Sequence, residues 1–123
     1  MTEINIIIPT YNEENNIVKL LKEINKRLSN AKITIVDDSK INKIEKILKK
    51  EKLEKNIKYI HRKNSRGRGS AVLFGFKKRL KKNTKQIFIE MDADFSHNPS
   101  ELKKNIRLFK NKKRDLLIAS RYL

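Results

Sequence analysis

Apolar residues fall in short runs separated by polar, mostly basic stretches, and two spacings alternate along the chain. Ile4 to Ile8 is a compact β-branched run that ends at Pro9, as a buried strand does. Beyond it, Ile17, Leu20, Leu21, Ile24 and Leu28 recur at helical spacing with lysines between them. Ile33 to Val36 reads as a second strand, stopped by Asp37 and Asp38. Ile41, Ile44, Ile47 and Leu48 mark a second amphipathic helix. Ile57 to Ile60 predicts a third strand, and Arg66-Gly-Arg-Gly69 opens a helix that runs on to Leu80. A fourth strand covers Ile87 to Met91. Asn98-Pro99 then supplies an N-cap and first helical residue for a helix that turns Leu102, Ile106 and Phe109 inward. Asp115 to Ala119 predicts a last strand. Strand and helix alternate throughout, and the strands are apolar on both faces. The fold class is therefore α/β, a mainly parallel sheet covered by helices in three layers.

Length makes this one domain, residues 1–123, with a single core. Hydrophobic residues at 37% suffice for that core and argue against disorder, although 37% of residues are charged. Cysteine is absent, which excludes disulfides and thiolate metal sites and suits a reducing cytosol. Two histidines, His61 and His97, are too few for a multi-histidine zinc site. No apolar stretch nears the ~20 residues that span a bilayer. The expectation is a cytoplasmic chain, at most peripheral to the membrane face. With 31 basic and 14 acidic residues the formal charge is +17, which favours anionic partners without choosing among them. Few aromatic residues and no stacking motif argue against specific nucleic-acid binding.

The candidate chemistry collects where strands end. In an open parallel sheet, ligands bind beyond the carboxyl ends of the strands. Tyr11, Asn12 and Glu13 follow the first strand, Asp37 and Asp38 the second, Asp92 and Asp94 the fourth, and Arg121 the fifth. Asp92-Ala-Asp94 offers two carboxylates to one hard cation, Mg²⁺ or Mn²⁺; it equally suits an Asx turn or a cap on the next helix. Asp37-Asp38 fits a ribose or base acceptor and, as well, a helix cap. Gly67 and Gly69 permit positive φ or close backbone approach. Arg66 and Arg68 suit phosphate or solvent, and a strand-end Arg121 can fork onto phosphate oxygens. His97 orients a ligand or serves the loop.

Ile7-Ile-Pro-Thr-Tyr-Asn-Glu13, Ile35-Val-Asp-Asp38, Arg66-Gly-Arg-Gly-Ser-Ala71, Met91-Asp-Ala-Asp-Phe-Ser-His97 and Ser120-Arg-Tyr122 stand in one order over nearly the whole chain. In that order and spacing the chain resembles the family 2 glycosyltransferases, above all those that load mannose onto dolichyl or polyprenyl phosphate. The resemblance implies a GT-A fold cut short at its carboxyl end, a nucleoside-diphosphate sugar such as GDP-mannose, and a divalent metal. It also implies a lipid-phosphate acceptor, transfer with inversion, and a membrane-anchored partner chain. By position, Pro9, Tyr11, Glu13, Val36 and Asp38 line the base and ribose pocket. Asp92, Ala93 and Asp94 meet ribose and diphosphate; Asp92 and Asp94 hold the metal and serve catalysis, and Arg121 contacts phosphate. Three departures stand out: Ser39-Lys-Ile-Asn after the paired aspartates, Arg68 where relatives carry leucine, and Ser96 where some relatives supply a glutamine ligand. A chain so shortened has an alternative role as a donor-binding or partner-binding module.

Overall fold

The computed structural model describes residues 2–111. Four strands form one all-parallel sheet: β1 (Glu3–Thr10), β2 (Lys32–Asp37), β3 (Ile57–His61) and β4 (Gln86–Glu90), in the order β3-β2-β1-β4. The helices are α1 (Ile17–Arg27), α2 (Lys43–Lys50), α3 (Arg68–Arg79) and α4 (Leu102–Asn111), the last preceded by a 3₁₀ turn at Pro99–Glu101. The expected strand over 115–119 and Arg121 lie outside the described residues.

Strand alternation divides the core. Ile6, Ile8, Ile33 and Ile35 face α1, α2 and the start of α4, packing on Leu20, Leu21, Ile24, Ile44 and Leu48. Ile7 and Val36 point to the opposite face, where α3 covers them with Ala71 and Phe74. Helix, sheet and helix make the three layers. α3 comes close because Gly75 has no side chain: a Cβ there would lie 2.8 Å from an Ile7 methyl and 3.1 Å from a Val36 methyl. The sheet's two central strands are thus buried on both faces, as the continuous apolar runs require.

Three local expectations shift. α2 starts at Lys43, so Ile41 is 60% exposed and belongs to the turn leading in. The chain leaves β2 through a polar network at Asp37 and Ser39 and does not take up helical geometry until Lys43. α3 starts at Arg68, with Gly67 at φ +132° forming the entry, a conformation open to glycine and poor for other residues. Gly69 has open space around it and ordinary φ, so only Gly67 uses the freedom that both glycines offer. At α4, Asn98 does cap the turn, its Oδ1 accepting the Ser100 N–H at 3.0 Å, and Leu102 is buried.

Candidate functional site

β1, β2 and β3 step outward in sequence order, whereas β4 returns to the other side of β1. The order of strands therefore reverses at β1, and a crevice opens beyond the carboxyl ends of β1 and β4, where such sheets bind ligands. A cleft of about 350 Å³ lies there. Pro9, Thr10, Tyr11 and Glu13 come to it from β1, and Asp38 from the end of β2. Arg66, Gly67, Arg68 and Ala71 come from the entry to α3, and Asp92, Ala93 and Asp94 from the end of β4. Val36, expected among these walls, is fully buried: strand alternation turns its side chain down under α3, beside Ile7 and Ala71. Arg121 is outside the described residues.

A buried polar network sets the loop after β1. Asp37 is fully buried. Its Oδ1 accepts the Thr10 hydroxyl (3.0 Å), the Ser39 hydroxyl (2.6 Å) and the Ser39 N–H (3.1 Å), and its Oδ2 accepts the Tyr59 phenol at 2.6 Å. Burial, then the bond to Asp37, hold the Tyr59 phenol far above its ordinary pKa, so it stays a donor. Ser39 in turn accepts the Asn12 N–H at 2.7 Å, and Asn12 occupies the left-handed region at φ 56°. That chain of bonds aims Tyr11 and Glu13 at the cleft. Asp37 is thus a structural anchor, and only Asp38 of the pair lines the cleft.

Asp38 is not free. Arg62, directly after β3, grips it with a two-pronged fork: Nε to Oδ1 at 2.7 Å and Nη2 to Oδ2 at 2.6 Å, with both side chains more than nine-tenths buried. The bond to Asp38 raises the Arg62 pKa against the opposing effect of burial. The same guanidinium donates to Ser70 Oγ (2.8 Å) and the Gly67 carbonyl (3.3 Å). One residue therefore ties the β2 carboxylate to the glycine turn of α3. Sequence reasoning missed Arg62, because a lone arginine after a strand looks like surface; its one signal was a cation following an apolar run opposite a paired acidic motif.

Asp92 and Asp94 share a tight turn. Asp94 Oδ1 accepts the Ser96 N–H at 2.9 Å, and Asp92 Oδ2 accepts the Ser96 hydroxyl at 3.3 Å. Ser96 is the leading cause that lowers the Asp94 pKa, so the carboxylate is ionised at neutral pH. Ser96 thus organises both aspartates. The Asp92 N–H donates to His97 Nδ1 at 3.1 Å, which leaves the ring proton on Nε2 and gives His97 a loop-fixing task. Directly after the second carboxylate, Phe95 is held at φ 64°, a strained conformation for an aromatic residue. Arg68 reaches across the cleft: Nε donates to Asp92 Oδ1 at 2.7 Å, and Nη1 pairs with Glu90. Arg66 lies over the Tyr11 ring, 4.2 Å from its centroid.

As a donor set, Asp92 and Asp94 are hard carboxylate oxygens on one wall of a cleft, the class Mg²⁺ and Mn²⁺ select. No group of three or more His, Asp or Glu side chains is placed to hold a metal among the described residues. Two carboxylates fit such a cation when substrate phosphate and water complete its shell, as Mg²⁺ commonly requires.

The family model for glycosyl transferase family 2 matches residues 5–123, almost the entire chain. The chain belongs to glycosyltransferase family 2. Its parallel sheet and covering helices are those of the GT-A fold. Over 98% of its length it is 34% identical to a dolichol-phosphate mannosyltransferase of Pyrococcus furiosus, of which it covers 34%. Over 96% of its length it is 32% identical to a polyprenol monophosphomannose synthase of Mycolicibacterium smegmatis, covering 44% of that protein. The crystal structure of S. aureus TarS 1-349 superposes with a TM-score of 0.70 at 24% identity, over 92% of this chain and 34% of that one. The chain thus spans between a third and a half of the length of these relatives.

Proposed function

We propose that the cleft binds a nucleoside-diphosphate sugar, GDP-mannose or a close analogue, and serves transfer of the hexose, with inversion, to a dolichyl or polyprenyl phosphate. One observation carries the reading. In a family 2 chain, Tyr11, Asp38, Asp92 and Asp94 line a single cleft at the point where the strand order reverses. The mannosyltransferase names of the relatives favour mannose and a lipid phosphate.

In this reading Pro9 and Tyr11 offer an apolar edge and a ring to the base. Glu13 and the two lone-pair positions that Arg62 leaves on Asp38 accept from ribose or base. Ala93, small and buried, lets the backbone between the carboxylates approach the diphosphate. Asp92 and Asp94 would hold Mg²⁺ or Mn²⁺, whose chemistry is to neutralise negative charge on a departing diphosphate. Arg66 and, by its place in the Ser-Arg-Tyr motif, Arg121 add cationic contacts to phosphate. An acceptor phosphate is ionised near neutral pH, so a direct displacement needs no protein base; the residues act by positioning and electrostatics. The lipid acceptor places the reaction at a membrane face, with the rest of the acceptor site on a further segment or a membrane-anchored partner. None of the described helices is long and apolar enough to cross a membrane.

Calorimetry with GDP-mannose and Mn²⁺ tests the donor site. Binding that Asp94→Asn weakens at least ~100-fold, the scale on which charge-stabilising groups act, supports it. If no nucleoside-diphosphate sugar binds the folded chain, the proposal fails.

A further inference from the structure

The feature that the proposed reaction leaves unused is the bridge across the cleft mouth. Arg68 is half exposed, yet its guanidinium is committed at both ends, with Nε on Asp92 Oδ1 at 2.7 Å and Nη1 on Glu90. With the Ser96 hydroxyl on Oδ2, both oxygens of Asp92 have partners, whereas among the described residues Asp94 accepts only on Oδ1, from the Ser96 N–H. The two carboxylates of the D-x-D turn are therefore unequal. One lines the cleft with its second oxygen unpaired among the described residues; the other is already neutralised by a cation belonging to the chain.

We propose that Arg68 is a tethered competitor for the divalent cation at Asp92. It occupies the carboxylate before substrate arrives and so lowers the affinity of the empty cleft for metal. The inference rests on reading Asp92 and Asp94 as cation ligands. A guanidinium and a divalent ion cannot share Asp92 Oδ1 at bonding distance, so each must displace the other, and the competition costs the metal the strength of one charge-assisted bond. Arg68 is able to play this part because of where it sits. It is the first residue of α3, immediately after the Gly67 turn, and Arg62 ties that turn to Asp38 through the Gly67 carbonyl and Ser70. Its backbone is thereby held while its side chain, on the open side of the helix, can swing. Arg66 has the same charge and lines the same cleft, but it stacks on Tyr11 and touches neither carboxylate. The difference between the two arginines separates a specific contact from a general field.

The test is binding of Mn²⁺ alone to the intact chain without nucleotide, read from the electron paramagnetic resonance signal of free Mn²⁺. Arg68→Leu and the polar variant Arg68→Gln, each checked for a native thermal melt, should bind Mn²⁺ roughly three- to fivefold more tightly than the parent chain, as expected for removal of one partly exposed ion pair. Arg66→Leu, which changes the net charge equally, should change it less than about twofold. Asp94→Asn should remove the binding in every background. If Asp94→Asn removes binding while the Arg68 variants match either the parent or Arg66→Leu, the competitor role is wrong and the metal site stands. If Mn²⁺ binding ignores Asp94→Asn, the metal assignment itself falls and this inference with it.

Discussion

At the residue scale, the working parts of the cleft are held by side chains that never reach it. Arg62 is the clearest case. It is buried with Asp38, and removing one partner of a buried pair strands the other charge. Arg62→Ala is expected to cost about 3 kcal/mol in urea unfolding and to loosen the glycine turn. Arg62→Lys keeps the charge but lacks the fork, and should recover less than half of the loss. An Arg62→Ala protein as stable as the parent would contradict this account. Asp37 and Ser96 work in the same way on the other walls: Asp37 through Ser39 to Asn12, and Ser96 onto both Asp92 and Asp94. The sequence displayed the acceptors Asp38, Asp92 and Asp94 because acidic residues at strand ends are visible as a pattern. The partners are scattered singly, and only folding brings Arg62, 24 residues away, onto Asp38.

At the scale of elements, the contact of α3 with the sheet depends on the absence of a methyl group. Gly75 faces Ile7 and Val36 at distances no Cβ tolerates without movement. Gly75→Ala gains helix propensity but overpacks, and a net loss of roughly 1–3 kcal/mol in thermal or chemical unfolding is expected. Because α3 also carries Gly67, Arg68 and Ala71 into the cleft, the same variant should weaken nucleotide-sugar binding as the helix is pushed outward. Unchanged stability would show that the sheet yields freely at that point. Gly75 was invisible as a packing residue in the sequence, which read the helix from its apolar spacing. Of that spacing, Ala71, Leu73, Phe74 and Leu80, the two leucines are more than half exposed, while Ala71 and Phe74 make the contact together with Gly75. Small residues carry little weight in a hydrophobic pattern, although they permit the closest approach.

At the scale of the whole molecule, the end of the sheet opposite the cleft is fastened by Glu3. Its carboxylate accepts from Asn5 and Gln86 at 2.9 Å, from Lys81 at 3.0 Å and from Lys32 at 3.1 Å, so β1, β2, β4 and the loop after α3 meet on one group. These bonds, Asn5 and Gln86 foremost, hold the Glu3 pKa far below its ordinary value. The folded state therefore takes up that proton less readily than the unfolded chain. The stabilisation is complete above the unfolded pKa of about 4.3 and drains away as pH falls below it toward the folded pKa. Glu3→Gln should lower stability at pH 7 by roughly 1–2 kcal/mol and flatten its acid dependence; an unaltered pH profile between 5 and 3 would refute the clasp. Charge acts on the molecule as a whole too. A formal +17 on 123 residues repels itself, so raising ionic strength from ~0.01 to ~0.15 M, which shortens the screening length from ~30 to ~8 Å, should raise Tm. A Tm that falls over that range would mean that attractive pairs outweigh the repulsion.

Taken alone, the sequence determined the class of fold, the order of strands and helices, and the three strand-end carboxylates of the cleft. Those follow from period and from what each residue type can accept or bury, which are local properties. Tertiary structure decided the rest, because the rest depends on which distant groups share space. It separated Asp37 the anchor from Asp38 the wall, turned Val36 away from the cleft, and left Ile41 in solvent. It also placed one arginine beneath the cleft, on Asp38, and another on a prospective metal ligand. Parallel strands carry their carboxyl ends to one edge whatever the side chains there are; which cation then meets which carboxylate is settled only by the crossing of the helices above them.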